Sequence, residues 1–343
     1  MRISTATTAP PGWDEFVLRH PQSTAYHRAE AVGIGRRAFG LDTFYLTATD
    51  AIGNITGVLP LVEQSSLLFG RFLSSVPFFT YGGILALDAQ VAAALAGAAS
   101  ELGRERRARH VELRHSAQVE RLPLADRTDK VSMVLPLPAD EAALSKQLGS
   151  KLRSQIKRAE REEPTIHWGG AELLAEFYPV FAQAMHDLGT PVYPRRFFDI
   201  TLSALRDVAD VLVIRVKGRA EAAAVLVRHG DRIEVPWAAC SPAGKRAALN
   251  MRMYWEMLKL SVARGARAFD FGRSTVDSGT YKFKAQWGAQ PLQLHWYYWL
   301  PHGAEIPRLN QSNPKYQLAA KMWRRLPLWG ANLVGPWLVR KLP

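Results

Sequence analysis

The chain has 343 residues, 48% of them hydrophobic and 22% charged, a globular composition that excludes a protein disordered throughout. Its formal net charge of +13 favours a polyanionic partner such as RNA, a nucleotide carrier or an acidic membrane surface; the alternative is a genome that prefers arginine to lysine. Cys240 is the only cysteine, so the chain forms no internal disulfide, as is usual in a reducing cytosol.

The sequence has no uninterrupted apolar run of the ~20 residues that a transmembrane helix needs. Its N-terminal residues also lack the apolar core of a signal peptide. We therefore expect a cytoplasmic protein whose membrane contact, if any, is peripheral and at the inner membrane.

Hydrophobic periodicity predicts the same order of elements in each half of the chain. After a short helix near residue 13, the first half reads as a strand hairpin, a strand, an Ala-rich helix and a strand, at residues 44–49, 57–62, 72–79, 91–102 and 111–113. The second half repeats this order at residues 211–216, 222–227, 233–239, 250–263 and 269–271.

A short motif marks the same place in both halves. Residues 108–116 read Ala-Arg-His-Val-Glu-Leu-Arg-His-Ser, and residues 266–274 read Ala-Arg-Ala-Phe-Asp-Phe-Gly-Arg-Ser. The repeat indicates two copies of one module, and the order of its elements resembles that of a GNAT-type acyltransferase. The resemblance implies an α/β protein of two tandem GNAT-like domains (the acyl-CoA N-acyltransferase fold) with mixed sheets.

We place the first GNAT-like domain at residues 1–140 and the second, with the candidate catalytic site, at residues 141–305. A basic, Trp-rich tail follows at residues 306–343. The tail alternates Trp and Leu with Arg and Lys, which is typical of a membrane interface, where lipid-linked saccharides reside. Packing of the tail on the first module would explain the same residues.

Between the two copies, residues 144–161 predict a helix with one apolar face. Basic side chains surround that face: Lys146, Lys151, Arg153, Lys157, Arg158 and Arg161. They form either a solvated helix surface or a basic rim over the site of a phosphate-bearing substrate. In the second interpretation, Arg153 and Lys157 bind substrate.

Four passages, at residues 151–159, 188–194, 269–274 and 280–288, together resemble the FemAB family of peptidyl and aminoacyl transferases. Residues 313–316 and 323–328 are similar to the subgroup associated with exosortase (PEP-CTERM) and exopolysaccharide systems. The resemblance implies a Phe-Lys pair before an aromatic-Gly step, which corresponds here to Phe283-Lys284 and Trp287-Gly288. It implies that Lys284 holds the acyl donor and stabilises charge as the carbonyl is attacked.

Amide formation requires a neutral amine, loss of its proton and stabilisation of the negative tetrahedral oxygen. A lysine in a partly dry pocket suits the last task, so Lys284 is the candidate catalyst, and Tyr281, Phe283 and Trp287 are candidate substrate-binding residues. Lys282 is a second candidate, because on a strand it would share a face with Lys284. Surface charge is the alternative for both lysines.

Asp270 lies on a strand that reads as central, between two phenylalanines. It is either the general base that accepts the amine proton or the ion-pair partner of Arg273. Arg273 would bind a carboxylate or phosphate of the substrate. Thr190 and Tyr193 lie in a Pro-rich turn and would hydrogen-bond a sugar or peptide, although turn geometry alone also explains them.

The acyl donor stays open between acyl-CoA and aminoacyl-tRNA. Residues 241–247 keep one glycine and two basic residues of the loop with which GNAT enzymes hold the CoA pyrophosphate, without its full spacing. No spacing of His, Cys and Asp suits a metal.

We therefore expect an N-acyl or aminoacyl transferase that forms an amide on an amino group of a cell-envelope glycan or peptidoglycan-type precursor. Its partners would be that glycan or a lipid-linked saccharide, and tRNA if the donor is aminoacyl-tRNA. The alternatives are an acetyl-CoA-dependent N-acetyltransferase that acts on an amino sugar of exopolysaccharide, and a non-catalytic scaffold of the exopolysaccharide or exosortase system.

Overall fold

A computed structural model describes residues 1–66, 70–307 and 314–340. The chain forms two compact units. Unit 1 comprises Met1–Val131, Gln293–Leu309 and Arg340–Pro343, and unit 2 comprises Ser132–Leu292 and Asn310–Val339. Each unit contains a mixed sheet with helices packed against it, so the predicted α/β fold with two mixed sheets is confirmed.

The helices of unit 1 are α1 (Trp13–Arg19), α2 (Ala29–Val32), α3 (Ile34–Phe39) and α4 (Ala89–Glu105). The first strands of its sheet are β1 (Arg2–Ala6), β2 (Thr43–Thr49), β3 (Ile55–Ser66), β4 (Gly70–Ser74), β5 (Leu85–Ala86), β6 (Val111–His115) and β7 (Ala125–Arg127). The β2–β3 hairpin is antiparallel, whereas β4 and β6 are parallel and α4 connects them. The predicted order of hairpin, strand, helix and strand is confirmed in this unit.

The core of unit 1 lies between α4 and the sheet, where Leu46, Leu59 and Leu95 are fully buried. Gly57 on β3 permits the close approach of α4, because a Cβ atom at this position would lie 2.6 Å from Val91 Cγ1.

The strands of unit 2 are β8 (Val131–Pro136), β9 (Thr165–Gly169), β10 (Ala209–Val216), β11 (Arg219–His229), β12 (Arg232–Cys240), β13 (Ala268–Ser274) and β14 (Gln290–Gln293). They lie in the order β14-β8-β13-β12-β11-β10-β9. The β10–β11 hairpin is antiparallel and β12 is parallel to β13, which repeats the arrangement of unit 1. The helices are α5 (Glu141–Gln147), α6 (Ser150–Glu160), α7 (Leu174–Leu188), α8 (Arg195–Ala204), α9 (Pro242–Arg246), α10 (Leu249–Ala263), α11 (Gly279–Ala285), α12 (Pro314–Trp323) and α13 (Leu328–Val339).

A final strand, β15 (His295–Trp299), returns to the sheet of unit 1, where it pairs antiparallel with both β6 and β7. Tyr298 on β15 donates its hydroxyl hydrogen to the Glu112 carboxylate on β6. The contiguous division at residues 140 and 305 therefore differs from the compact units: β15 lies between the two segments of unit 2 in the sequence and completes the first sheet. Long-range strand pairing, which leaves no local sequence signal, causes the difference.

Candidate active site

The candidate catalytic residues of unit 2 lie on β13 and on the helix that follows it. Ser278 caps α11, because its hydroxyl accepts a hydrogen bond from Tyr281 N at 3.2 Å. The segment is therefore a helix, α11 (Gly279–Ala285), and not the strand on which Lys282 would share a face with Lys284. Two residues along a helix differ by roughly 200° in direction, so Lys282 and Lys284 do not share a face: Lys282 is exposed, and Lys284 is buried.

Lys284 reaches from α11 to the end of β13. Its ammonium nitrogen Nζ donates to the carbonyl oxygen of Gly272 at 2.8 Å and to that of Arg273 at 3.0 Å. An ammonium group carries three donors, so one N–H has no hydrogen-bond partner among the described residues. That hydrogen is available to a ligand.

Burial lowers the pKa of Lys284 to about 8, because desolvation disfavours the charged form. The charge of the Asp270 carboxylate opposes this effect and raises the pKa of Lys284. The Arg273 guanidinium lowers the pKa, and the Glu234 carboxylate raises it. Asp270 and Glu234 are paired in register on the parallel strands β13 and β12. The ammonium thus lies in a dry region that contains two buried carboxylates, of which sequence reasoning found only one.

Asp270 is wholly enclosed, with 0% of its side chain exposed. Its Oδ1 atom accepts hydrogen bonds from Ser132 Oγ at 2.6 Å and from Gly272 N at 2.8 Å. Its Oδ2 atom lies 3.7 Å from Arg232 Nη1. Arg232 on the neighbouring strand is thus an ion-pair partner of Asp270, and the ion pair expected with Arg273 stays a prediction.

The enclosure of Asp270 also argues against its expected role as proton acceptor, because its side chain has no exposed surface for an amine to approach. Asp270 instead accepts a hydrogen bond from the backbone of Gly272 within β13 and supplies negative charge near Lys284. Arg273 is exposed, and its backbone carbonyl accepts from Lys284. Binding of an anionic group by Arg273 stays a prediction.

An aromatic cluster packs beside Lys284 around Tyr254 of α10, which sequence reasoning missed. The ring of Tyr254 lies 5.4 Å from that of Phe271, 5.1 Å from that of Phe283 and 6.0 Å from that of Trp287. Burial raises the pKa of Tyr254 to about 12. Two of the expected pocket residues, Phe283 and Trp287, therefore belong to one packed cluster that links α10, β13 and α11, while Tyr281 is half-buried in the first turn of α11.

Two buried polar atoms near this cluster have no hydrogen-bond partner among the described residues: Ser274 Oγ and Trp287 Nε1. Buried polar groups are normally paired. Ser274 ends β13, one residue after a carbonyl that binds Lys284, and Trp287 follows α11. Both atoms are therefore candidates for polar contacts with a substrate. The sequence marks Ser274 only as the last residue of the repeated motif.

The expected substrate contacts on other elements have structural partners. Thr190 N donates to Met185 O at 2.9 Å, which closes the C-terminus of α7. The Tyr193 ring stacks on Phe197 at 4.6 Å, and the carbonyl oxygen of Tyr193 accepts from the Tyr178 hydroxyl. These contacts explain the turn by its own packing, so substrate binding by Thr190 and Tyr193 stays a prediction.

Helix α6 has the predicted apolar face, formed by Leu152, Ile156 and Ala159. Arg153 donates to the carbonyl oxygen of Leu148, which ends α5, whereas Lys157 is exposed. Arg153 thus has a local structural role, and Lys157 keeps the exposure that phosphate binding requires. Their contact with substrate stays a prediction.

The segment that resembles an incomplete pyrophosphate loop forms the short helix α9. Ser241 Oγ caps it by accepting from Gly244 N at 2.9 Å. A Cβ atom at Gly244 would lie 2.8 Å from Cys240 Sγ and 2.9 Å from Glu221 O. The glycine is therefore needed for close packing on the sheet, where Cys240 is buried and free.

Residues 146–285 match the model of a family described as an acetyltransferase (GNAT) domain. The matched region contains Asp270, Ser274 and Lys284. Together with the two mixed sheets, the match defines a protein with a GNAT-type domain, and the protein is an acyltransferase.

Particular solved structures share the architecture. FemX is similar with a TM-score of 0.66 and 14% identity over 92% of this chain and 100% of that chain. L-PGS from Bacillus licheniformis is similar with a TM-score of 0.56 and 12% identity over 93% and 98% of the two chains. A tandem GNAT protein from the clavulanic acid biosynthesis pathway is similar with a TM-score of 0.52 and 11% identity over 89% and 100%. At these identities the similarity shows the tandem GNAT fold.

No curated protein sequence matches the chain significantly. Within residues 1–66, 70–307 and 314–340, no helix combines the length and apolarity that crossing a bilayer requires. The same residues contain no cluster of His, Cys, Asp or Glu that could hold a metal ion.

Proposed function

We propose that the protein is a FemAB-like aminoacyl or acyl transferase that forms an amide on an amino group of a cell-envelope glycan or peptidoglycan-type precursor. The observation that carries the proposal is the Lys284 ammonium, buried between β13 and α11 with one N–H directed to no protein acceptor among the described residues. The GNAT domain and the fold shared with FemX and L-PGS support the same reaction class.

In this reaction the amine attacks the carbonyl carbon of an ester or thioester donor. A C–N bond forms, the carbonyl oxygen becomes negative, and the C–O or C–S bond then breaks. The departing oxygen or sulfur takes up the proton that the amine loses, so an amide and an alcohol or thiol are the products. The remaining N–H of Lys284 stabilises the negative oxygen, and the dry surroundings strengthen this interaction. Ser274 Oγ and Trp287 Nε1 supply further hydrogen bonds to the substrate, and exposed Arg273 binds an anionic group of the donor or acceptor.

The donor in this proposal is aminoacyl-tRNA, in keeping with the FemAB resemblance of residues 280–288. An acetyl-CoA-dependent N-acetyltransferase that acts on an amino sugar is the second candidate, favoured by the description of the matching family as an acetyltransferase domain. The structure of α9 weighs against the second candidate, because Gly244 is used in packing. The GNAT domain weighs against a non-catalytic scaffold.

We further propose a place in the exosortase and exopolysaccharide systems. It rests on the similarity of residues 313–316 and 323–328 to that subgroup, of which residue 313 lies outside the described residues. The acceptor is then an amino sugar of a lipid-linked or nucleotide-linked precursor, encountered on the cytoplasmic side of the inner membrane.

A transfer assay tests the function. Purified protein is incubated with a cell extract of envelope precursors and with either radiolabelled aminoacyl-tRNA or radiolabelled acetyl-CoA. We expect label from aminoacyl-tRNA in a product that resists hydroxylamine, because amides survive that treatment and esters do not. Transfer from acetyl-CoA alone would select the second candidate, and a hydroxylamine-sensitive product would contradict amide formation.

A further inference from the structure

The C-terminal helices α12 and α13 expose an unusual amount of apolar surface. The exposed large hydrophobic side chains of this hairpin are Leu318, Met322, Leu326, Trp329, Leu333, Val334 and Trp337. These seven, within one short segment, equal the number exposed in all the other described residues together. An apolar patch of this kind on a protein surface marks an interaction site.

The hairpin packs on the protein through small residues. Ala331, Gly335 and Val339, spaced four residues apart on α13, are its buried positions. A Cβ atom at Gly335 would lie only 3.1 Å from Val192 N, so the helix backbone approaches the segment after α7 closely. Packing on the body of the protein therefore explains the small residues and leaves the large ones unexplained.

The large residues form the opposite face of α13. Trp329, Leu333 and Trp337 share the same four-residue spacing, and their exposed fractions are 74%, 74% and 50%. Residues four apart lie on one side of a helix. Most of the surface of Trp329 and Leu333 is therefore exposed, and packing of the tail on the first module stays a prediction.

The hairpin is held in place before any partner binds. His186 on α7 donates its Nε2 hydrogen to the carbonyl oxygen of Leu326, between the two helices, at 2.8 Å. Gly189 ends α7 with a φ of +74°, and a Cβ atom there would lie 2.8 Å from Ala320 O on α12. The exposed Leu188 adjoins this contact. The apolar face is therefore presented by a fixed support.

The charge of the hairpin selects among possible partners. Residues 314–340 contain five basic residues and no acidic residue. Lys321 in the last turn of α12 and the two following residues Arg324 and Arg325 are exposed. Basic side chains beside exposed Trp and Leu fit the interface of an anionic membrane, where phosphates meet acyl chains. A second copy of the chain fits less well, because a symmetric contact would bring the two basic patches together.

We propose that the α12–α13 hairpin binds the surface of anionic phospholipid membranes, with Trp329, Leu333 and Trp337 at the boundary of head groups and acyl chains. Lys321, Arg324 and Arg325 lie against the lipid phosphates. The membrane contact and the transferase function use different residues, so each can fail without the other.

Co-sedimentation of the full chain with vesicles tests the proposal. We expect binding to vesicles of phosphatidylcholine and phosphatidylglycerol in roughly equal amounts, and much weaker binding to phosphatidylcholine alone. In the triple variant Trp329→Ala/Leu333→Ala/Trp337→Ala, each of the three substitutions should contribute a roughly tenfold loss of vesicle binding. The variant Arg324→Glu/Arg325→Glu should lose the preference for phosphatidylglycerol.

Matched controls separate the hairpin from general surface properties. Leu18→Ala/Ile52→Ala removes two exposed apolar side chains of unit 1, and Arg195→Glu/Arg196→Glu reverses a neighbouring pair of exposed arginines on α8. The apolar control should bind as the parental protein does, and the arginine control should keep its lipid preference. Circular dichroism checks that every variant is folded.

Three outcomes would overturn the proposal. One is absence of binding by the parental protein, and another is undiminished binding by the triple variant. The third is a dimer that dissociates in the triple variant, measured by light scattering without lipid, together with no vesicle binding. That result would show that a second copy covers the face.

Discussion

Gly272 occupies in the second repeat the position that Arg114 occupies in the first. Arg114 neutralises the buried acid of its own strand, because its Nε atom lies 2.6 Å from Glu112 Oε1. At Gly272 there is no side chain, and the carbonyl oxygen instead accepts from Lys284 Nζ at 2.8 Å. In the second repeat, the cation near the buried acid Asp270 is thus Lys284, which comes from the following helix α11. Lys284 keeps one N–H for a ligand.

Gly272 has a φ of +75°, in the left-handed region that disfavours side chains. We expect Gly272→Ala to lower the free energy of unfolding by about 1–2 kcal/mol and to reduce transfer, because the carbonyl that orients Lys284 would move. Chemical denaturation and the transfer assay measure the two effects. Gly218→Ala, at a φ of +77° with open space around it in the turn between β10 and β11, is the control; it should lower stability alone, and equal loss of activity in both variants would contradict the account.

The pH dependence of transfer should report the titration of Lys284. Its pKa of about 8 means that the ammonium form, which stabilises the oxyanion, is lost as pH rises through 8. We expect kcat to fall on this alkaline limb. Asp270→Asn removes a charge that raises the pKa of Lys284, so the limb should move to lower pH while activity persists below it.

The same experiment separates two roles for Asp270. A proton acceptor would be needed at every pH, so its amide variant would be inactive throughout the profile. A shift of the alkaline limb to lower pH in Asp270→Asn would show that Asp270 acts on Lys284 through its charge. Complete inactivity of a folded Asp270→Asn protein would show that the enclosed carboxylate takes part in proton transfer.

Ser274 offers a test in which stability and activity diverge. Its buried hydroxyl has no partner among the described residues, so Ser274→Ala should leave the free energy of unfolding unchanged or slightly higher. Loss of a hydrogen bond to the substrate should lower kcat/KM about tenfold. Unchanged kcat/KM would remove Ser274 from the site. Ser261→Ala, which deletes a buried hydroxyl that bonds Met257 O at 2.8 Å, should show the opposite pattern.

Unit 1 should lose stability in mild acid because of His115. Burial, with smaller contributions from His27 and His295, lowers the pKa of His115 from 6.5 to about 3, and its Nε2 accepts from Ile84 N. Between these values the unfolded chain binds the proton and the folded one does not, so stability falls as pH falls. From pH 7 to 5 we expect a loss of about 2 kcal/mol from this residue.

Urea denaturation at the two pH values measures this loss. His115→Gln should unfold at lower urea at pH 7 and show a smaller difference between the two pH values. A difference that is the same in the parental protein and the variant would contradict the assignment to His115.

The fold was largely predictable because each of its two repeats has local sequence signals. In each half these signals indicate a strand hairpin, a further strand, an apolar helix and a final strand. Two features were not. β15 pairs with β6 and β7 across a long stretch of sequence, and no pattern at residues 295–299 identifies that partner. Lys282 and Lys284 would share a face only on a strand, whereas the Ser278 cap, a usable helix signal, begins the helix α11.

The site was predictable in its centre and not in its surroundings. Lys284 was found through its aromatic neighbours and the FemAB resemblance. Ser132, Arg232 and Glu234 were missed, because they approach Asp270 and Lys284 from other strands and only the sheet order brings them there. Tyr254 was missed for the same reason, since its contacts depend on how α10 packs.

The most direct test of the account compares two lysines on one helix. Lys284→Met keeps the length of the side chain and removes its charge, and Lys282→Met makes the same change at an exposed position. In the transfer assay, with folding checked by circular dichroism, we expect Lys284→Met to lower kcat roughly 100- to 1,000-fold and Lys282→Met to retain nearly full activity. Full activity in a folded Lys284→Met protein would contradict the assignment of the oxyanion-stabilising charge to Lys284.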